Sequence, residues 1–198
     1  MNETNKENSQ AVAPASPGWY IVRTVNLHEQ SISRFLSEKG LENFFPQMYV
    51  RRVVGERQVR KLVPAVHNIL FVRRTIDGKA FMKLCIECPL PAYAQKKIDS
   101  NDLYVIPDPM MTEFRMICDP AFIGTEYATA REVEAKPGKP VRIIHGPLAG
   151  IEGKLVRVKN AYFIVKTMAG VGVRVRISRW YCEVLDKPST PEDACRKK

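Results

Sequence analysis

The sequence predicts an α+β protein in two parts: an N-terminal α/β sandwich with a mostly antiparallel sheet, then a C-terminal five-stranded β-barrel. Two observations lead to this prediction. From residue 18 to 122, strand-like segments rich in β-branched and aromatic residues alternate with amphipathic helical patterns. From residue 140 to 185, short strand patterns separated by glycine turns follow one another closely.

The composition is strongly basic. The chain has 198 residues, with 31 Lys and Arg against 21 Asp and Glu, and a formal charge of +10. Such an excess favours a polyanionic partner, because each cation set against a phosphate releases condensed counterions. A soluble basic protein without such a partner is the alternative. The five cysteines and the lack of a secretory leader favour a reducing, cytoplasmic location, and no apolar run is long enough to span a membrane.

The first part begins after a polar segment, residues 1–17, that we expect to be disordered. A first strand is predicted over 19–25, followed by a helix in which Asn26 and Glu29 form a capping box and Gly40 supplies the left-handed stop. Two further strands meet at a turn at Gly55-Glu56, and another covers residues 69–73.

A second helix pattern, "DPMMTEFRMI", closes the first part. Asp108 is expected to cap it and Pro109 to occupy its first position. Residues 123–139 are charged, with little apolar periodicity, and are interpreted as a linker. Strands are then predicted over 141–145, 153–159, 162–167, 171–177 and 181–185, followed by a polar tail over 186–198.

A glycine-rich segment, "HGPLAGIEGKLVRV", raises the question of a phosphate-binding loop. Leu155 stands after Gly153-Lys154 where such a loop needs Ser or Thr, and the spacing of the glycines is wrong. An alternating β-branched stretch follows instead of a helix, so no helix N-terminus is available to hold a phosphate. The segment therefore predicts a strand, a turn and a strand, with Pro147 pre-setting the turn.

No catalytic or metal-binding group can be assembled from the sequence. Cys85 and Cys88 have the spacing of zinc ligands, but no second pair completes a tetrahedral site. His67 and His145 stand beside turns without a nucleophile or carboxylate partner in a recognisable motif. We therefore expect a protein that is not an enzyme and that uses no cofactor and no metal.

The glycine segment with its flanking strands, "VRII", "HGPLAG" and "IEGKLVRV", resembles the KOW motif. The motif residues are Gly146, Pro147, Gly150 and Gly153. Upstream, "WYIVRTVN", an amphipathic helix, "FFPQMYVRR", a basic hairpin, "ILFVRR" and "VIPDPMMTEF" follow the order of the NGN domain of NusG-like transcription factors. The resemblance spans residues 18–185 and is closest to the specialised RfaH and UpxY-type antiterminators of polysaccharide operons.

The resemblance implies an NGN domain over 18–122, a linker over 123–139 and a KOW domain over 140–185, the latter an SH3-like barrel. It implies an elongation and antitermination factor of a capsular or exopolysaccharide operon, whose NGN domain binds the clamp helices of the largest RNA polymerase subunit. The matching positions are Arg23, Val66, Ile69 and Phe71. Ile69 and Phe71 could equally fill the core, because alternate strand residues must face it. The KOW domain would bind a ribosomal protein or the termination factor Rho.

The segment before the strand at Ile69 departs from the family pattern. It keeps an asparagine, Asn68, but lacks the proline and the tyrosine. This departure favours a diverged paralogue and affects the expected shape of the nearby surface more than the fold.

The hairpin "VRRVVGERQVRK" is the candidate nucleic-acid site. Its cations surround a glycine turn and are opposed only by Glu56; they are Arg51, Arg52, Arg57, Arg60 and Lys61. Such a finger can follow a phosphate backbone, and the resemblance implies non-template DNA or nascent RNA as its partner. Two alternatives stay open: a general NusG-type elongation and termination factor, and a ribosome-associated RNA-binding protein.

Overall fold

The structure is a computed structural model that describes residues 17–121, 124–135 and 137–185. The tails predicted over 1–17 and 186–198 lie outside the described residues, except for Pro17.

The N-terminal part contains a five-stranded antiparallel sheet, a separate two-stranded hairpin and three helices. The sheet has the order β2-β5-β1-β6, and β7 also pairs with β1, while β3 pairs only with β4. In chain order the elements are β1 (Gly18–Thr24), α1 (Glu29–Glu38), β2 (Asn43–Phe44), β3 (Gln47–Val54), β4 (Arg57–Pro64), β5 (Ile69–Arg73), α2 (Gly78–Glu87), β6 (Ala92–Ala94), β7 (Val105–Pro107) and α3 (Asp108–Ile117).

Strands β1 and β5 are apolar on both faces because both faces of the sheet are covered. Tyr20 and Leu70 belong to a cluster that includes residues of α1 and α2. Ile21, Ile69 and Phe71, which alternate with them, belong to a second cluster that includes residues of α3. Because side chains alternate between the two faces of a strand, successive residues of β1 and β5 pack in two different cores.

The C-terminal part is a six-stranded antiparallel sheet with the order β13-β9-β10-β11-β12-β8. All five strands predicted after residue 140 are present, with every bound shifted by at most two residues. The elements are β8 (Thr125–Thr129), α4 (Ala130–Glu134), β9 (Lys139–Ile143), β10 (Glu152–Val158), β11 (Ala161–Met168), β12 (Val171–Ile177), a 3₁₀ turn (Arg179–Tyr181) and β13 (Cys182–Val184).

Residues 123–139 differ from the linker that the sequence predicts, because they contain β8 and α4. Strand β8 pairs with the edge of β12, and Thr129 with Glu132 forms a capping box at the start of α4. Val133 is buried against the sheet, where a Cβ added at Gly172 would lie 2.7 Å from its Cγ2 atom. The segment gave no periodic signal because only this one apolar side chain of α4 is buried.

Both predicted helix caps are wrong in detail. Helix α1 begins after His28 without a side-chain cap, because Asn26 and Leu27 adopt left-handed backbone angles, φ 55° and 60°, that place Asn26 before the helix start. Asp108 lies within α3 rather than before it, and its carboxylate is 3.4 Å from a nitrogen of Arg73. The apolar faces of both helices are nevertheless buried as the spacing predicts.

Candidate functional site

The β3–β4 hairpin carries the five predicted cations on a ribbon that belongs to neither large sheet. All five side chains are exposed. In the antiparallel register Arg51 lies opposite Arg60, while Arg52 lies opposite Val59 and Lys61 opposite Val50. Residues that lie opposite each other share a face, and successive residues alternate between faces.

The cations are therefore divided between the two faces of the hairpin. The first face, here called the Arg51 face, carries Tyr49, Arg51, Val53 and Arg60. The other, the Arg52 face, carries Val50, Arg52, Arg57, Val59 and Lys61. Among the residues that the structure describes, no carboxylate lies within ion-pair distance of these five cations. Both faces are thus positively charged.

The base of the hairpin is held by an aromatic contact and a backbone bond. The Arg60 guanidinium lies over the Tyr49 ring, 4.3 Å from its centroid. Ala65 donates its N–H to the carbonyl of Pro46 at 2.9 Å, which closes the strands where they leave the body of the protein. A cleft of about 210 Å³ separates Tyr49 and Arg60 from Asp119 and Tyr127.

The residues proposed for polymerase binding lie in a different region, and two of them are in the core. Ile69 and Phe71 have 0 % of their surface exposed. The Phe71 ring is 5.6 Å from the Phe114 ring of α3 and 6.3 Å from the Phe44 ring, centroid to centroid. The sequence allowed two roles for these residues, polymerase binding or core packing. The structure places both side chains in the core, where a partner cannot reach them in this arrangement.

The other two proposed residues lie at the rim of the same cluster. Val66 is partly buried and packs against it. Arg23 donates from Nε to Oε1 of Gln95 at 2.9 Å and from Nη2 to the carbonyl of Ala169 at 2.8 Å. Partial burial of this guanidinium lowers the pKa of Arg23. Arg23 therefore contacts the turn between β11 and β12 in the C-terminal part.

One hydrophobic cluster is shared by the two parts of the chain. It contains residues of β1, β5 and α3 together with Val141, Ile164 and Val173 of the C-terminal sheet. At its edge the Lys166 ammonium group of β11 is paired with the Glu113 carboxylate of α3. Tyr127 of β8 also donates its hydroxyl hydrogen to the carbonyl of Cys118 at 3.3 Å. The C-terminal sheet thus covers the face of the N-terminal sheet that carries Ile69 and Phe71.

The four residues of the glycine motif form the turn between β9 and β10. Gly146 and Gly150 have φ of +87° and +91°, which only glycine adopts without strain, and Pro147 is exposed between them. Gly153 lies in β10, where an added Cβ would be 2.8 Å from both Cγ1 of Ile164 and the carbonyl oxygen of Val165. The local backbone or packing therefore requires glycine at positions 146, 150 and 153, and the residues after the turn form strand β10.

Cations of the C-terminal sheet differ from those of the hairpin, because several of them have carboxylate partners. Arg142 contacts Glu152 at 2.5 Å, and Arg174 contacts Glu126 at 2.5 Å. The Arg174–Glu126 pair could not be expected from the sequence, since Glu126 lies in the segment interpreted as a linker. The unpaired positive charge is therefore concentrated more strongly in the hairpin than the sequence indicated.

A buried carboxylate that sequence reasoning misassigned lies near Val66. Glu29 has 0 % of its surface exposed, and its Oε1 atom accepts the backbone N–H of Asn68. The same oxygen lies 3.7 Å from Nδ1 of His67, whose side chain is half exposed. Asn68 itself has a left-handed φ of 63°. Glu29 therefore holds the loop before β5 instead of capping α1.

Two buried thiols, Cys85 and Cys118, have environments that suppress their reactivity. Burial raises the pKa of Cys85 to about 11 and the pKa of Cys118 to about 12. Cys85 and Cys88 lie at the C-terminal end of α2 rather than at a helix start. Within 17–121, 124–135 and 137–185, no three His, Cys, Asp or Glu side chains come together as metal ligands. In the same residues no helix is long and apolar enough to cross a membrane.

Residues 17–89 match the family model described as "Transcription termination factor nusG". This range runs from the start of β1 to just beyond α2 and includes the hairpin and β5. No curated protein sequence matches the chain.

The match supports a NusG-like transcription factor, and more generally a factor of transcription elongation or termination. The family is one of transcription factors rather than enzymes, and its members bind RNA polymerase.

Proposed function

We propose that this protein is a transcription elongation and antitermination factor that binds RNA polymerase through an NGN domain formed by residues 18–122. The observation that carries the proposal is the NusG family match over residues 17–89. The cationic hairpin supports it, because an uncompensated positive surface favours contact with nucleic acid in a transcription complex. The target that we propose is a capsular or exopolysaccharide operon.

The mechanism that we propose is differential binding. A protein that binds the elongating form of polymerase more tightly than the paused form shifts the population towards elongation. The apolar face around Ile69 and Phe71 would bind the clamp helices of the largest polymerase subunit, since an apolar groove that receives a helix is a common mode of recognition. Arg23 and Val66 would form the rim of this contact.

The burial of Ile69 and Phe71 sets a condition on this contact. Because the C-terminal sheet covers one part of the hydrophobic cluster around them and α3 covers another, the clamp helices reach only the part where the C-terminal sheet packs, and only after that sheet has moved away. Weakening the junction between the two parts should therefore increase the affinity for polymerase. Charged substitutions at Ile69 or Phe71 would be uninformative, since a charge in the core unfolds the domain.

The C-terminal sheet is proposed to be a KOW domain with an SH3-like barrel formed by residues 140–185, and β8 and α4 pack beside it. The turn that contains Gly146, Pro147 and Gly150, with Gly153 in the following strand, supports this assignment. We propose that this domain recruits a second partner, a ribosomal protein or the termination factor Rho, once it is released from the N-terminal part.

The test measures retention of purified RNA polymerase by the immobilised full chain, followed by read-through of a terminator in vitro. Glu113→Lys opposes Lys166 with a like charge and should increase retention. The exchanged pair, Glu113→Lys with Lys166→Glu, restores attraction and should return retention to the level of the unmodified protein. The proposal is wrong if neither the unmodified protein nor Glu113→Lys retains polymerase or changes read-through.

A separate experiment tests whether the protein acts on one operon or on most transcribed genes. Occupancy mapping across the genome should give signal over one operon for the specialised factor that we propose. Signal over most transcribed genes would instead identify a general NusG-type factor. Co-sedimentation with ribosomes in the absence of polymerase would support the ribosome-associated alternative.

A further inference from the structure

The division of charge between the two faces of the β3–β4 hairpin limits how the hairpin can meet a nucleic acid. A ribbon that lies flat on a phosphate backbone contacts it with one face, and cations on its other face then point away from the phosphates. Here Arg51 and Arg60 are on one face, whereas Arg52, Arg57 and Lys61 are on the other. Phosphates on both sides of the ribbon would satisfy both faces.

A duplex groove places phosphates on both sides of an inserted element. The major groove of B-form DNA is about 12 Å wide and about 8.5 Å deep, and it admits a two-stranded β-ribbon. We propose that the hairpin enters the major groove of duplex DNA turn first, with each face directed towards one of the two phosphate backbones. This inference deepens the proposed contact with nucleic acid and rests on that function.

The distance of the cations from the turn agrees with insertion from the turn end. Strand residues rise about 3.3 Å each, so Arg52, three residues before Gly55, lies about 10 Å from the turn. Arg51 lies about 13 Å from it by the same measure. With the turn near the floor of a groove about 8.5 Å deep, these guanidinium groups are level with the phosphates at the rim.

The side chains nearest the turn suit the floor of the groove. Val53, two residues before Gly55, is exposed by 71 %. An exposed valine can contact the methyl group of thymine, and a carboxylate such as Glu56 can accept a hydrogen bond from cytosine. Arg57, which follows Glu56, has a guanidinium group of the kind that donates to the O6 and N7 atoms of guanine. The composition of the tip is therefore compatible with base edges.

The base of the hairpin allows this approach because it is anchored while the tip is free. Tyr49 and Arg60 contact each other near the cleft beside Asp119. Nearer the turn, residues 51–53 and 55–59 are all exposed. The part that projects is the part that would enter the groove.

The experiment measures binding of the full chain to a fluorescent DNA duplex by anisotropy at several salt concentrations. Two double variants remove equal charge at similar distances from the turn: Arg51→Gln with Arg60→Gln, and Arg52→Gln with Lys61→Gln. Both should weaken binding by similar factors, and each should reduce the slope of log affinity against log salt by about 2. The control, Arg34→Gln with Lys83→Gln, removes two exposed charges from α1 and α2 and should leave affinity unchanged.

Competitors identify the groove and the form of the nucleic acid. Methyl green, which occupies the major groove, should displace the protein, whereas the minor-groove ligand netropsin should not. Duplex RNA of equal length should compete poorly, because its major groove is too narrow for side chains to read. Circular dichroism confirms that every variant is folded.

Several outcomes would overturn the inference. They are loss of affinity in only one of the two face variants, no loss in either, or equal competition by single-stranded DNA. The polymerase assay on the same variants separates this inference from the proposed function. Absence of duplex binding with retention of polymerase and read-through intact refutes groove insertion alone. Duplex binding that depends on both faces, without any retention of polymerase, supports the insertion and refutes the proposed function.

Discussion

Lys166 on β11 and Glu113 on α3 form an ion pair that joins the two parts of the chain across 53 residues of sequence. The Lys166 side chain is 17 % exposed and the Glu113 side chain 36 % exposed. A pair in such a position is more than a surface contact, because removing one partner leaves the other charge partly desolvated.

Replacing Lys166 by Met should therefore destabilise the junction. Breaking an exposed ion pair costs little and breaking a buried one costs several times more. For this partly buried pair we expect a loss of about 1–2 kcal/mol in the free energy of unfolding. Denaturant unfolding of the single variants Lys166→Met and Glu113→Gln and of the double variant gives the coupling energy. Strict additivity of the two single effects would show that the pair makes no contribution.

Gly153→Ala should destabilise the C-terminal sheet. The new methyl group would lie 2.8 Å from Cγ1 of Ile164 and from the carbonyl oxygen of Val165, so the strands must shift. Overpacking of this kind costs about 1–3 kcal/mol, measurable by thermal or denaturant unfolding. Gly78→Ala is the matched control, because Gly78 does not have a positive φ and the nearest atom to the added Cβ, Cδ1 of Leu103, is at an ordinary contact distance of 3.5 Å. An equal loss in both variants would contradict the close approach at Gly153.

Glu29→Ala should destabilise the N-terminal part by about 1–3 kcal/mol, because it removes the buried carboxylate that accepts the N–H of Asn68. Glu29→Gln keeps an oxygen in reach of that N–H and should cost less. Amide hydrogen exchange at Asn68 provides a local readout, and it should become faster in the Ala variant. Unchanged protection of that amide would refute the role given to Glu29.

Asp77 should give α2 a stability that depends on pH. Its carboxylate accepts the N–H groups of Lys79 and Ala80 at 2.8 and 3.0 Å, and these backbone bonds lower the pKa of Asp77 in the folded state. A lowered folded pKa means that the stabilisation is present above the unfolded pKa and is lost as pH falls through the folded value.

Asp77→Asn, which keeps a cap without a charge, is the comparison for this effect. The stability difference between the unmodified protein and this variant should be constant near neutral pH and should shrink in acid, as followed by denaturant unfolding at several pH values. A difference that does not change down to the acid limit would contradict the prediction.

Cys85 and Cys118 should resist alkylation in the folded protein. Burial raises their pKa values to about 11 and about 12, so the reactive thiolate is scarce near pH 8. Iodoacetamide labelling followed by peptide mass spectrometry should find both residues unmodified until denaturant is added. Rapid labelling of either residue in the native protein would show that its surroundings open.

Much of the fold could be predicted because it depends on patterns within one segment. The alternation in "VGVRVRI" corresponds to β12, and the turn at Gly55-Glu56 joins β3 to β4 as expected. The segment over 123–139 could not be predicted in the same way. Strand β8 is stabilised by pairing with β12, more than 40 residues later in the chain, and its own residues are only partly buried.

The same distinction between local patterns and distant contacts applies to the candidate site. The sequence by itself determined that the hairpin is cationic and that β5 is apolar, since composition and periodicity are local properties. Only the tertiary structure decided that Ile69 and Phe71 are covered and that Glu29 holds Asn68. It also decided that Arg142 and Arg174 have carboxylate partners, whereas no carboxylate of the described residues pairs with the hairpin cations. The physical reason is that burial and pairing depend on groups distant in sequence, which only the folded chain brings within contact distance.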